Sequence, residues 1–330
     1  MGTASEKQPA PGAEKPLSSW WRRARSNQPL SMAVILLLMW LVLSLLSQYF
    51  FTANNLLQIT LQGAVMALVA AGETFVILSG GIDLSVGAVF ALSAMVAGKA
   101  TAAGMPWPAV VLAGLAAGAA CGFLNGLGVG VLRLPPFVVT LGMMGVARGF
   151  ALIINQGIPI FGLPPGFEVL GQSRIGGIVP VPTLLVLLVY AVCYFILRST
   201  RFGRFTYAIG SNQEATRLAG VRTSRYLVGI YLLCGLLTAL AGLTEASRLN
   251  SFQPAGGQGL ELDAIGAVVI GGASLFGGEG NILASLIGAL IVATIRNGLN
   301  ILGVYAFWQY VVTGALIVIA VYLDTLRHRR

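Results

Sequence analysis

The chain has 330 residues, of which 56% are hydrophobic and only 9% are charged, and its mean hydropathy is +0.84. A soluble domain carries charges on roughly a quarter of its residues, so this composition excludes a water-soluble protein and indicates an integral membrane protein. The net charge of +9 would suit nucleic acid or anionic lipid. The positions of the arginines, described below, explain it by membrane topology instead, and we expect contact with membrane lipid but none with nucleic acid.

In chain order, ten apolar segments follow a polar N-terminal stretch. A helix needs about 20 residues to cross a hydrocarbon core of about 30 Å. Segments of about that length lie at 31–51, 58–79, 84–103, 108–131, 136–155, 180–198, 226–246, 263–279, 281–300 and 304–323. The predicted fold is therefore all-α, a polytopic transmembrane helical bundle of about ten helices. Its predicted regions are a disordered cytoplasmic tail at 1–29, a transmembrane domain at 30–325 and a basic cytoplasmic tail at 326–330.

Arginine and lysine are enriched in the cytoplasmic loops of membrane proteins. Six arginines lie in or beside the polar segment 199–225, and further basic clusters lie near both ends of the chain. An even number of crossings places all three clusters on one side and leaves only Lys99, Arg174 and Arg248 near the other. The sequence therefore predicts that both termini and the 199–225 loop are cytoplasmic.

Two glycine-rich stretches, 80–87 and 271–280, lie where one apolar segment gives way to the next. Each can be a tight turn between crossings, a break inside a helix, or a site of close helix packing through glycine. The sequence 76–81 also resembles 268–272. This likeness predicts a weak internal repeat of the kind found in transporter folds.

Polar side chains inside apolar segments are costly in a membrane and therefore mark candidate functional positions. The candidates for a translocation pathway are Glu73, Asp83, Ser85, Asn125, Asn297 and Asn300. Interhelical pairing explains Glu73 and Arg148 better than contact with a solute does. Glu245 and Arg248 are three residues apart, so they can neutralise each other on one helical face.

The chain shows no pattern that would carry catalysis. Cys121, Cys193 and Cys234 lie singly in apolar segments and are predicted to be packing residues, and the single histidine, His328, lies in a basic tail. We expect no catalytic residue, no metal site and no cofactor. A nucleotide-binding P-loop needs G-x-x-x-x-G-K-[ST], and the only Gly-Lys pair, at 98–99, is followed by alanine.

The loop 199–225 is long and basic. Asn212 is a good N-cap for a short helix at 213–219, which Gly220 would end. Such a helix on the cytoplasmic face can act as a lever for a partner protein, although an ordinary loop that follows the charge bias would look similar.

Taken together, these features resemble the permease subunits of ribose-type bacterial ABC sugar importers, within the branched-chain amino acid and sugar permease superfamily. The matching stretches are 80–87, 135–142, 201–220, 259–278 and 297–303. They span residues 54 to about 323, nearly the whole chain.

This resemblance implies a multi-pass permease of the bacterial inner membrane that is not itself an enzyme. It implies a homodimer that binds two ABC ATPase subunits and receives solute from a periplasmic sugar-binding protein. The outer loops 156–179 and 247–262 would meet that protein. The residues that would couple to the ATPase are Gly210, Asn212, Glu214, Ala215, Leu218 and Gly220.

The expected solute is ribose or a related monosaccharide. The alternatives are another small solute, such as xylose, galactose, a polyol or an autoinducer furanose, or an ion-coupled secondary transporter. The last would need paired ionisable groups in mid-membrane, for which candidates such as Glu73, Arg148 and Arg296 are few.

Overall fold

The computed structural model describes residues 28–328. The tail predicted at 1–29 therefore lies outside the described residues up to residue 27, and its last two residues already belong to the first helix. Of the tail predicted at 326–330, residues 326–328 continue the last helix and the final two lie outside the described part.

Twelve α-helices make up most of the described chain. They are α1 (Gln28–Leu46), α2 (Ala53–Leu78), α3 (Val86–Ala102), α4 (Trp107–Gly126), α5 (Pro136–Ile153), α6 (Val181–Ser199), α7 (Arg201–Ser211), α8 (Gln213–Leu218), α9 (Thr223–Leu249), α10 (Leu260–Ile270), α11 (Ile282–Ile301) and α12 (Ala306–His328). A π-helical turn at Leu127–Val131 extends α4, and a 3₁₀ turn lies at Phe167–Leu170.

Four two-residue strands form two small antiparallel ribbons. β1 (Ile160–Phe161) pairs with β4 (Ser251–Phe252), and β2 (Arg174–Ile175) pairs with β3 (Val179–Pro180). The first ribbon joins the loop after α5 to the loop after α9, so these two loops lie at the same end of the bundle.

Seven of the described helices are long and apolar enough to cross a membrane: α1, α2, α4 with its π-helical extension, α5, α6, α9 and α11. A further apolar helix, α3, has 17 residues. The chain is thus a polytopic helical membrane protein, as predicted.

The helix within the segment predicted to cross at 263–279 is shorter than that segment. The helix there, α10, ends at Ile270, and its 11 residues extend only about 16 Å. The chain then leaves helical geometry until α11, because Gly272, Gly277 and Gly278 take φ values of +90°, +83° and +76°, a region that only glycine enters without cost. Apolar composition alone could not show this.

The other glycine-rich stretch is also a break between helices. α2 ends at Leu78, α3 begins at Val86, and Gly80 has a φ of +81°. Asp83 and Ser85 within this link are buried. The link therefore lies inside the protein, which satisfies its polar backbone.

Helices α2 and α9 form the centre of the bundle. Every residue of α2 from Gly63 to Leu78 is buried, as expected for a helix surrounded by protein on all sides. The three cysteines are buried free thiols, which agrees with the predicted packing role.

A glycine stripe on α4 lets that helix touch α9 backbone to backbone. A Cβ at Gly118 would lie 2.5 Å from the carbonyl oxygen of Gly235, and a Cβ at Gly122 would overlap the carbonyl oxygen of Tyr231. Small residues at every fourth position commonly bring membrane helices this close.

Candidate functional site

A polar cavity of about 370 Å³ lies between α2, α3, α9, α10, α11 and α12. One wall is the loop between α9 and α10, which contains β4 and therefore belongs to the end of the bundle that carries the first ribbon. The uncharged polar residues that line the cavity are Gln62, Ser251, Gln253, Gln258, Asn300 and Gln309. Apolar side chains, including Phe90, complete the wall.

Two ion pairs line the same cavity. Arg248 donates to both carboxylate oxygens of Glu245 at 2.7 Å, so the predicted mutual neutralisation within α9 is present. Arg296 of α11 pairs with Asp263 of α10. The second pair joins two helices that the sequence did not connect.

Arg148 of α5 holds the loop that forms a cavity wall. Its guanidinium donates to the carbonyl oxygens of Pro254 (3.1 Å) and Gly256 (2.8 Å) and to that of Gly87 (3.3 Å). The predicted interhelical contact therefore exists, but its partners are backbone carbonyls rather than a side chain.

Most of the residues predicted for the pathway lie in a separate buried cluster between α2, α3 and α4. Glu73 accepts the backbone N–H of Asp83 at 3.1 Å. Asp83 Oδ1 accepts both the backbone N–H (2.8 Å) and the hydroxyl (2.6 Å) of Ser85, and Asn125 donates to that hydroxyl at 2.9 Å. All four side chains are at most 2% exposed, so this polar cluster stabilises the break between α2 and α3.

The two remaining pathway candidates lie on α11. Asn297 is buried and donates to Asn55 of α2 at 2.7 Å. Asn300 lines the cavity and accepts from Gln309 at 2.6 Å. The structure thus brings one of the six predicted residues to the cavity wall.

The predicted short helix in the 199–225 loop is present as α8. The Asn212 side chain caps it by accepting the backbone N–H of Ala215 at 2.8 Å, and Gly220 follows with a φ of +85°. Leu218 is 74% exposed. The surface of α8 is therefore open to a partner.

Glu214 and Arg217 form an exposed pair on α8, with side-chain contacts of 2.9 and 2.5 Å. The hydrogen bond from Arg217 lowers the pKa of the Glu214 carboxyl below its ordinary value. This carboxylate therefore stays ionised to a lower pH than an isolated glutamate does.

The end of α7, just before α8, meets both glycine breaks. A Cβ at Gly210 would overlap the carbonyl oxygen of Leu78 and lie 2.5 Å from the backbone nitrogen of Gly278. The Gly278 N–H donates to that same Leu78 carbonyl at 3.0 Å. A Cβ at Gly277 would lie 2.8 Å from the Cα of Gly80. We call Gly80, Gly210, Gly277 and Gly278 the glycine node.

Sequence reasoning missed most of the cavity wall, because several of its polar residues lie at helix ends or in the loop before α10. The signal in the sequence that could have indicated this wall is the high density of polar side chains at 245–258. Among the described residues, no group of three or more His, Cys, Asp or Glu side chains is placed to hold a metal ion.

Comparison with known proteins identifies the family. Residues 55–321 match the model of the family described as "Branched-chain amino acid transport system / permease component". The chain belongs to this family. It is therefore a multi-pass permease component of the inner membrane and a transport subunit rather than an enzyme, as the resemblance implied.

Several relatives are similar over most of their length. The ribose import permease protein RbsC of Bacillus subtilis (strain 168) is 46% identical, over 86% of this chain and 88% of the relative. The D-allose transport system permease protein AlsC of Escherichia coli (strain K12) is 40% identical, over 86% and 87%. The fructose import permease protein FrcC of Rhizobium meliloti is 40% identical, over 90% and 86%. No solved structure matches the chain.

Proposed function

We propose that this chain is the permease subunit of an ATP-driven importer of ribose or a related monosaccharide. The observation that carries the proposal is the arrangement of two sites: a polar cavity at one end of the bundle, and an exposed helix, α8, joined through the glycine node to both breaks. The names of the relatives support an uncharged monosaccharide, since they specify ribose, allose and fructose. An ion-coupled carrier is not favoured, because these relatives are import permeases.

The topology that fits this function has ten crossings with both termini in the cytoplasm. It adds α3, α10 with its following break, and α12 to the seven long apolar helices. Two sets of contacts support it. The loops after α5 and α9 pair through β1 and β4, and the chain after α2, α7 and α10 meets at the glycine node. Alternating crossings place the first set outside and the second inside.

The partners follow from this topology. A cytoplasmic ABC ATPase subunit would dock on α8, with Gly210, Asn212, Glu214, Ala215, Leu218 and Gly220 as its coupling residues. A periplasmic sugar-binding protein would dock on the outer loops 156–179 and 247–262. The permease would act as a homodimer surrounded by lipid.

The mechanism is a mechanical linkage. Closure of the ATPase subunits displaces α8, and α7 transmits the displacement to the glycine node. Because the node contacts both breaks backbone to backbone, the ends of α2 and α10 move with it. Those two helices also line the cavity, so their displacement opens the cavity toward the cytoplasmic side of the membrane. Asn300 is then a pathway residue, whereas Glu73, Asp83, Ser85, Asn125 and Asn297 shape the pathway by holding α2, α4 and α11.

A double substitution on α8 tests the coupling role. Glu214→Arg with Ala215→Arg removes the pairing of Glu214 with Arg217 and adds positive charge to the surface proposed to meet the ATPase. We expect ATP-driven uptake to fall at least tenfold, measured in proteoliposomes that contain all subunits. Co-purification of the ATPase subunit is measured in parallel. Undiminished uptake with the ATPase bound as in the wild type would show that α8 does not couple.

A further inference from the structure

The formal charges of the side chains in the cavity wall sum to zero. Its lining contains two acidic residues, Glu245 and Asp263, and two basic residues, Arg248 and Arg296. Each guanidinium is matched to a carboxylate in its own pair. The wall therefore presents neither an unpaired cation nor an unpaired anion among these four groups.

Three of these lining side chains are partly exposed. The exposed fractions are 24% for Arg248, 21% for Glu245 and 33% for Arg296, while Asp263 is 2% exposed. A solute in the cavity can thus hydrogen-bond to atoms of both pairs without separating them.

The rest of the wall suits hydroxyl groups. Amides such as Gln62, Gln258 and Asn300 supply both donors and acceptors, which is what a hydroxyl, itself a donor and an acceptor, requires. Phe90 adds an apolar surface for the C–H face of a sugar ring. The volume of about 370 Å³ falls in the range of about 300–1,000 Å³ that is usual for small-molecule sites.

We propose that this cavity is a solute-binding site of the permease itself, that it takes an uncharged polyhydroxy solute of monosaccharide size, and that the two ion pairs exclude charged analogues such as sugar acids. The proposal rests on the proposed function and adds to it a selectivity that does not depend on the binding protein. A charged solute loses its hydration on entry. Within the neutral wall it gains no uncompensated counter-charge in return, so it is rejected.

Removing one carboxylate should reverse this rejection for anions. Glu245→Gln leaves Arg248 as an unpaired cation, and Asp263→Asn does the same for Arg296. A cleft with low-dielectric walls and one unpaired charge concentrates the opposite ion. We therefore expect each substitution to strengthen the binding of a sugar acid at least tenfold, and to leave binding of the neutral sugar unchanged or weaker.

The test uses the detergent-solubilised full chain without partner subunits. A ligand that binds only the folded state raises its stability in proportion to the logarithm of its concentration. The shift of the thermal unfolding midpoint is measured against D-ribose, D-allose, D-fructose and the anion D-ribonate. At least one neutral sugar should stabilise the wild type, and D-ribonate should bind at least tenfold more weakly than that sugar. Glu168→Gln, which removes a carboxylate outside the cavity lining, is the control and should keep the wild-type preference.

Two results would overturn the inference. One is a wild type that no neutral sugar stabilises, or that binds D-ribonate as well as the sugar. The other is a wild-type preference for the neutral sugar over D-ribonate in every one of the variants Glu245→Gln and Asp263→Asn that folds. Neither result bears on the proposed function, which is tested separately by ATP-driven uptake in the assembled transporter.

Discussion

Gly210→Ala should abolish ATP-driven uptake, with a loss of at least a hundredfold relative to the wild type. The added methyl group would overlap the carbonyl oxygen of Leu78 and press on the backbone nitrogen of Gly278. Both obstacles are backbone atoms that a side-chain rotation cannot move. The substitution therefore forces the end of α7 away from both breaks and separates α8 from the helices that it is proposed to move. Uptake is measured in proteoliposomes with the ATPase and binding-protein subunits present.

Two variants separate coupling from folding in this experiment. Gly145→Ala adds the same methyl group on α5 where no atom beyond the backbone of that helix turn lies within 4 Å, and it should leave uptake unchanged. Tyr207→Phe removes only the hydrogen bond from the Tyr207 hydroxyl to the Gly280 carbonyl, 3.0 Å long. It should lower uptake severalfold while the ATPase subunit still co-purifies. If Gly210→Ala transports normally, the glycine node does not transmit the motion.

Asp83→Ala should destabilise the permease by on the order of 3 kcal/mol, because each of two buried donors would lose its partner at a cost of about 1–3 kcal/mol. The donors are the backbone N–H and hydroxyl of Ser85, at 2.8 and 2.6 Å. The loss is measured as a lower unfolding midpoint in detergent, with the ATPase absent.

The conservative variant Asp83→Asn keeps an Oδ1 acceptor for Ser85 and should recover a large part of the lost stability. This comparison also decides what the buried cluster does. If Asp83→Ala unfolds like the wild type but transports poorly, the cluster acts directly on the solute, and its structural role as described here is wrong.

The features that could be predicted from the sequence are those that depend on neighbouring residues. The helix α8 is an example, since its cap at Asn212 and its end at Gly220 are signals within a few residues of the helix itself. The seven long apolar helices were predictable for a similar reason, because length and hydropathy alone decide whether a segment can cross a membrane.

The break after α10 shows where local reasoning fails. Residues 271–276 contain no charged side chain, so hydropathy does not end the predicted crossing there and extends it to 279. The glycines end the helix because their left-handed φ values fit contacts with α2 and α7. Those contacts are distant in sequence and leave no local pattern.

The surroundings of the predicted pathway residues could not be read from the sequence for a related reason. A polar side chain in an apolar segment signals that it is buried with partners, but the sequence does not say whether the partner is protein or solute. Asp83 and Asn125 lie on different elements and bond within one closed cluster, whereas Asn300 reaches the cavity. Only the packing of the helices distinguishes the two cases.

ATP-driven import is tested most directly by solute accumulation in proteoliposomes that contain the purified permease, an ABC ATPase subunit and a sugar-binding protein. We expect a monosaccharide such as D-ribose, D-allose or D-fructose to accumulate only when ATP and all three components are present. Accumulation by the permease alone, driven by a proton or sodium gradient without the ATPase, would contradict it.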